Sequence, residues 1–316
     1  MKKTRSFGAL LGRVCILLML LALFLPRLYA QEWDWWNELA QWDGVTPWQS
    51  YLTYSPKYFG PNAFPVPAMT DGRVTEKLTI DARVDQFWGF GDNTTDLHLS
   101  MDLPLYPKRV SLSVWMTALE YYQTTIDFRN ERLARTEKPC GWAVGDVYVK
   151  TSVQLLRDRP KAPDIVVSAV LKTASGSPLD AVRYYDTPGY YFDATVGKTF
   201  SFKPEHLVKS VSVSAMVGFL CWQDMQARQD DACLYGIKVG TRVGRWDFSI
   251  DWSGYAGWIG NGDCPMVIRA QARSEISQGH CLYIGGLVGL LDYPYFNTNI
   301  GYQFSIPLSF RKKKTE

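Results

Sequence analysis

The stretch Trp246-Asp-Phe-Ser-Ile-Asp-Trp-Ser253 shows the fold class most clearly. Apolar and polar side chains alternate along it without a break. The apolar set is Trp246, Phe248, Ile250 and Trp252, and the polar set is Asp247, Ser249, Asp251 and Ser253. A period of two places the two sets on opposite faces of a β-strand, whereas a helix would need a period of 3.6.

The first thirty residues have the pattern of a secretory signal. A basic start with Lys2, Lys3 and Arg5 precedes the apolar run 14–25, and cleavage is expected before Gln31. That run is shorter than the roughly 20 residues that a spanning helix needs. The segment holds five of the 34 basic residues, which leaves 29 against 31 acidic residues in the remainder. A net charge near −2 argues against a nucleic-acid partner.

The same alternation recurs along the chain and predicts twelve strands. They span 74–89, 95–104, 109–122, 143–157, 163–174, 188–202, 209–222, 232–243, 245–258, 265–275, 279–289 and 296–310. Most links after odd-numbered strands are long, as in 123–142 and 175–187, and several even-numbered strands end in tight turns. This arrangement predicts an all-β fold, an antiparallel transmembrane β-barrel with both termini on the periplasmic, short-link side. A large secreted β-sandwich is the alternative.

Over residues 73–310 the chain resembles Gram-negative outer-membrane β-barrel proteins of the porin-like kind. The most specific feature is the last strand, where aromatic and aliphatic residues alternate up to Phe310. In that family such a strand is read by the barrel-assembly machinery. The resemblance therefore implies this machinery and outer-membrane lipid as partners, and the cell outer membrane as the location. This sequence departs from the family by adding the basic tail 311–316, expected on the periplasmic side.

Residues 31–72 differ from the strand region. The stretch 32–42 predicts a short helix that brings Trp35, Trp36, Leu39 and Trp42 near one another. Four prolines within 54–67 predict an extended chain. Two placements stay open. The segment is either a plug that enters the lumen from the periplasmic side, or a periplasmic lead-in that docks a partner.

Strand parity assigns a set of charged and polar side chains to the barrel interior. The set is Asp81, Arg83, Asp85, His98, Asp102, Lys238, Arg242, Asp247, Asp251, Arg269 and Arg273. Arg269 and Arg273 lie on the strand next to Asp247 and Asp251, so ion pairs across that hairpin are expected. Such residues either hold a closed barrel together or line a narrow polar path.

His98 and Ser100 form a His-x-Ser pair whose spacing resembles that of outer-membrane phospholipase A and the lipid A deacylases. The resemblance would make His98 the base, Ser100 the nucleophile and Asp102 the orienting carboxylate. However, the opposite face of this strand is the apolar one, and Met101 stands where those enzymes commonly have Asn. The sequence therefore favours a protein that is not an enzyme, and it shows no spacing typical of a metal or cofactor site.

Cys221 and Cys233 share parity on adjacent predicted strands and flank one link, so they are the candidate disulfide; unpaired thiols are the alternative. Taken together, the sequence predicts a narrow or gated channel or transporter for small solutes. The alternatives are a structural or accessory barrel that presents surface loops or docks a periplasmic partner and, less favoured, an outer-membrane lipid hydrolase.

Overall fold

A computed structural model describes residues 33–223, 229–257 and 262–308. These residues form one antiparallel sheet of thirteen strand segments. The segments are β1 Lys77–Gly89, β2 Asp92–Tyr106, β3 Val110–Thr124, β4 Cys140–Ala143, β5 Val147–Leu156, β6 Asp164–Lys172, β7 Gly189–Ser201, β8 Val208–Gln223, β9 Gln229–Val243, β10 Trp246–Ala256, β11 Met266–Ser277, β12 His280–Leu291 and β13 Tyr295–Pro307. Two short α-helices, α1 Asp34–Ala40 and α2 Ile126–Glu131, and a 3-10 turn, Trp48–Tyr51, lie outside the sheet.

The sheet closes on itself into a twelve-stranded barrel. β1 pairs with β2 on one side and with β13 on the other, and every neighbouring pair is antiparallel. β4 and β5 both pair with β3, at successive positions, so they are two parts of one barrel strand. The predicted antiparallel barrel and its strand number are thus confirmed. Closure matters physically because an open sheet would leave edge amides unpaired in lipid.

The two faces of the wall differ as the alternation predicts. On β1, Ile80 and Val84 point outward and are 49% and 45% exposed, whereas Asp85 and Phe87 point inward and are buried. Trp246 and Trp252 also face outward, as expected of interfacial aromatic residues. On the β1–β13 pair, the rings of Trp88 and Phe296 stack across the two strands. The lipid-facing surface is therefore apolar along the strands and aromatic near their ends.

The links divide the barrel into two different rims. One rim, called the long-link rim here, carries links 125–139, 173–188 and 257–265, although its links 90–91 and 292–294 are short. The opposite, short-link rim carries links of two to seven residues, and β1 begins there. Gly244 and Gly279 occupy its two-residue links with φ of 59° and 80°, a backbone region that glycine adopts without strain.

Several sequence predictions fall on parts of the chain outside the described residues. These are the secretory signal 1–30, the final Phe310 and the basic tail 311–316. Within the described ranges, no helix is long and apolar enough to cross a membrane.

Candidate functional site in the barrel lumen

Residues 52–76, called the lumen segment here, run through the inside of the barrel from one rim to the other. Near its start, Phe59 is fully buried and lies beside Tyr295, the first residue of β13 at the long-link rim. Near its end, Arg73 pairs with Asp164, the first residue of β6 at the short-link rim, at 2.7 Å. The chain then leaves the lumen and enters β1.

The segment enters the lumen from the rim opposite to the expected one. Residues 33–51, called the lid here, lie at the long-link rim against link 125–139. Trp36 is buried and its indole Nε1 donates a hydrogen bond to the Leu133 carbonyl at 2.7 Å. The Arg135 guanidinium lies 4.6–5.6 Å from the ring centres of four tryptophans, namely Trp33, Trp36, Trp42 and Trp48. These contacts join residues about 90–100 positions apart and hold the lid at this rim. The local sequence of the lid could therefore not predict which rim it occupies.

Side chains of the barrel wall hold the backbone of the lumen segment. Its prolines have no N–H group, so the polar groups that most need partners in the lumen are carbonyl oxygens. The wall meets this need with donors of four residue types. Tyr295 contacts the Phe59 carbonyl at 2.9 Å, Tyr293 that of Pro61 at 2.9 Å, Tyr255 that of Phe64 at 3.2 Å, Arg269 that of Val66, Ser214 that of Thr70 at 3.0 Å, and Gln154 that of Gly72 at 2.8 Å.

The half of the lumen near the long-link rim is packed like a protein core. Phe64 of the lumen segment stacks on Tyr185 of link 173–188, with ring centres 4.2 Å apart and planes 5° from parallel. Inward side chains of the wall, including Trp222 and Leu234, join the same buried cluster. Close packing of this kind leaves little room for water.

Links 125–139 and 173–188 fold inward and close this half of the lumen with buried ion pairs. The ion pairs of Arg132 and Arg183 with Asp92 and Glu120 are called the junction here. Arg183 donates to Asp92 at 2.6 Å and to Glu120 at 2.7 Å, and it is fully buried. Arg132 donates to the same Asp92 at 2.9 Å. Burial opposes the charge of Arg183, but the carboxylates of Asp92 and Glu120 outweigh it and hold the Arg183 pKa above its ordinary value. The junction therefore joins two guanidinium groups to two carboxyl groups.

A hollow with a mixed polar and apolar lining runs beside the lumen segment, from the packed cluster towards the short-link rim. A cavity of about 790 Å³ lies beside the lumen segment, and a second, of about 730 Å³, adjoins it towards the rim. They share lining residues that include Lys238 and Arg273. The first is lined by the predicted residues Arg83, Asp85, His98, Asp102, Lys238, Asp251, Arg269 and Arg273, and the second also by Arg242 and Asp247. Asp81 accepts a hydrogen bond from the Tyr283 hydroxyl at 2.7 Å.

Most of these charges are paired. Arg83 binds Asp85 at 2.6 Å, and Arg269 binds Asp251 at 3.2 Å. Lys238 reaches across to Asp71 of the lumen segment at 2.8 Å. These pairs neutralise the wall and attach it to the segment.

The expected pair between Arg273 and Asp247 does not form. Arg242 lies directly opposite Asp247 on β9 and binds both its oxygens, at 2.6 and 2.8 Å. Arg273 instead donates to Gln303 and, at 3.4 Å, to the Cys281 sulfur. The alternation places these side chains on the same face of the sheet. It does not predict whether Asp247 pairs with Arg242 on β9 or with Arg273 on β11.

The His98, Ser100 and Asp102 side chains face the lumen cavity and not the lipid. Asp102 accepts a hydrogen bond from Ser113, and within the described residues no hydrogen bond joins His98 to Ser100 or to Asp102. The arrangement of a base, a nucleophile and an orienting group is therefore not present here.

No disulfide joins Cys221 and Cys233 in the structure. The register places Cys221 opposite Asp231 and Cys233 opposite Phe219, so the two cysteines are diagonal neighbours. Diagonal side chains lie roughly 7–8 Å apart, whereas a disulfide needs Cβ atoms about 4 Å apart. Shared parity was therefore not enough to predict the bond.

The fold is that of an outer-membrane β-barrel, and comparison with solved structures supports this. The COG4313 outer membrane channel from Pseudomonas putida F1 superposes with a TM-score of 0.52 and 12% identity, over 77% of this chain and 100% of that chain. The NanC porin gives 0.45 and 11%, over 72% and 100%, and the KdgM porin gives 0.44 and 10%, over 72% and 99%. No family model and no curated protein sequence matches the chain. At these identities the likeness establishes the fold alone.

Proposed function

We propose that the protein is a narrow or gated outer-membrane channel for small solutes, and that the lumen segment is its gate. The observation that carries the proposal is the contrast between the two halves of the lumen. A cavity lined by charged side chains opens towards the short-link rim, whereas the lumen segment and the inward-folded links pack into a buried cluster at the long-link rim.

The size of the barrel is consistent with a narrow path. An eight-stranded barrel is filled by its own side chains, and barrels of sixteen or more strands leave a wide aqueous channel. Twelve strands lie between these limits, so a single extended segment is sufficient to block the lumen. Displacing it would open a path lined by the paired charges of the wall.

The gate should open more readily when its attachment to the wall is weakened. Replacing Arg269 with alanine removes the donor to the Val66 carbonyl, so we expect a larger conductance in planar lipid bilayers. Arg242→Ala is the matched control because Arg242 also binds an aspartate of β10 but does not contact the lumen segment in the structure. Equal changes in both variants, or none in either, would contradict the proposed gate.

A structural or accessory barrel is the second candidate, and the buried junction favours it. Removing one partner from a buried ion pair is strongly destabilising, so the junction could hold the barrel permanently closed. In that case no variant of the lumen segment would conduct. Docking of a periplasmic partner would then fall to the short-link rim and not to the lid.

A further inference from the structure

Three acidic residues lie side by side on the lumen face near the junction. The register pairs Asp85 of β1 with Asp96 of β2, and Asp96 with Glu120 of β3. All three side chains are buried. Like charges directly opposite each other on neighbouring strands repel, so this row needs compensation.

The outer two acids, Asp85 and Glu120, each form an ion pair with an arginine, whereas no ion pair of the middle acid, Asp96, is found within the described residues. Asp85 binds Arg83 at 2.6 Å, and Glu120 binds Arg183 at 2.7 Å. Asp96 is 4% exposed, and within the described residues it has no ion pair. Its Oδ1 atom has no hydrogen-bond partner there. A buried carboxylate without a cation is costly in its charged form and is stabilised by a proton.

Within the described residues, the Asp96 side chain accepts one hydrogen bond, and it comes from the lumen segment. The Asn62 amide nitrogen donates to Asp96 Oδ2 at 2.7 Å and to Glu120 Oε2 at 2.9 Å. Asn62 therefore bridges two acids of the wall, close to the point where Gly60 packs against the Arg183 guanidinium. The seated lumen segment therefore covers these two wall acids, which are both buried.

Charged and titratable groups of five elements surround Asp96. They are Arg83 and Asp85 on β1, Asp92 and His98 on its own strand, Glu120 on β3, Arg183 and Tyr184 on link 173–188, and Tyr293 before β13. Both arginines are already bound to other carboxylates. Asn62 and Asp85 line the cavity that reaches the short-link rim, which offers a route for protons.

We propose that Asp96 holds a proton while the lumen segment is seated, and that loss of this proton favours a state in which the segment has moved away and water reaches the carboxylate. An ionised Asp96 stands between the carboxylates of Asp85 and Glu120, and water that enters when the segment leaves solvates and screens these charges. The barrel is thus a proton-sensitive gate that is closed at low pH. For its conductance readout this inference rests on the proposed channel function.

The sign of the effect on stability follows from proton linkage. If the seated state binds a proton that the unfolded chain releases near pH 4, stability is greatest at low pH and falls as the pH rises. Asp96→Asn keeps the amide contact and cannot ionise. Its stability should therefore resemble that of the wild type at low pH and should not show this loss.

The test compares wild type, Asp96→Asn and His98→Gln in detergent and in planar bilayers between about pH 5 and about pH 8. As pH rises, the unfolding temperature of the wild type should fall by a few degrees relative to Asp96→Asn, and its conductance should rise several-fold. Conductance of Asp96→Asn should stay low and flat, and His98→Gln should behave like the wild type.

Parallel unfolding temperatures of wild type and Asp96→Asn across this range would overturn the inference. So would loss of the pH response in His98→Gln, because the titrating group would then be the histidine. Unfolding temperatures are measured without any channel activity. Absence of conductance in every variant would therefore overturn the proposed function, while the thermal comparison would still decide the role of Asp96.

Discussion

Single side chains fasten the lid to the barrel, and Arg135 is the clearest example. Its guanidinium lies among four tryptophan rings. Burial among the rings lowers its pKa from the ordinary value, although an arginine stays charged in proteins. Each cation–π contact of this kind contributes about 0.5–1 kcal/mol. The lid is thus held by one cation shared between several rings.

Replacing Arg135 with glutamine should loosen the lid and expose tryptophan to water. We expect a red shift of tryptophan emission and faster proteolysis within residues 33–51. Arg245→Gln is the control, since Arg245 contacts a single ring, that of Trp246, in an exposed turn at the other rim. The same emission change in both variants would argue against the shared-cation arrangement.

At the scale of elements, the lumen segment is unusual because side chains of other elements bind so many of its backbone carbonyl groups. It makes no strand or helix over residues 52–76, and wall hydroxyl, amide and guanidinium groups replace the partners that a regular element would supply itself. Where it touches β7, a side chain at Gly197 would lie 2.3 Å from the Asp71 carbonyl. The wall is therefore shaped to receive the segment.

Gly197→Val should displace the lumen segment at the short-link rim. The added side chain cannot share space with the Asp71 backbone, so we expect the Arg73–Asp164 and Lys238–Asp71 pairs to weaken and conductance to increase. Val196→Ile is the control because it adds volume to the outward face of the same strand, where Val196 is 40% exposed. Unchanged conductance in a folded Gly197→Val barrel would contradict the close approach.

The position of the lid also predicts the topology of the whole barrel in the membrane. If the long-link rim faces the outside, an epitope inserted after Gly44 should be accessible on intact cells, because Val45 is 86% exposed there. An epitope in the 244–245 turn should be reached only after the outer membrane is opened. The opposite pattern of labelling would reverse the orientation of the barrel.

The strands were predictable because their alternation is local. In β10, apolar residues that face outward alternate with polar residues that face the lumen, and the same alternation correctly placed the charged residues that line the lumen. The placement of the lid and of the inward-folded links was not predictable in the same way. The contacts of Arg183 with Glu120 and of Trp36 with Leu133 join residues far apart in the chain, and neither partner carries a periodic signal. Parity alone does place Asp96 and Glu120 on the lumen face, but it does not reveal their bridge to Asn62.

At the scale of the whole molecule, the long-link half of the barrel contains a packed core, and a cavity lined by charged side chains opens towards the short-link rim. A packed core resists water, so under the proposed function the lumen segment and the inward links would together determine whether solutes cross. The contacts that stabilise the closed barrel would then also limit its permeability.

The most direct test is the bilayer conductance of the intact protein against a variant that lacks residues 31–72, with folding of both barrels checked by their electrophoretic shift on heating. The account predicts small or absent conductance for the intact protein and a large, steady conductance for the folded deletion variant. Large, steady conductance from the intact protein, or a folded deletion variant that conducts no more than the intact one, would contradict it.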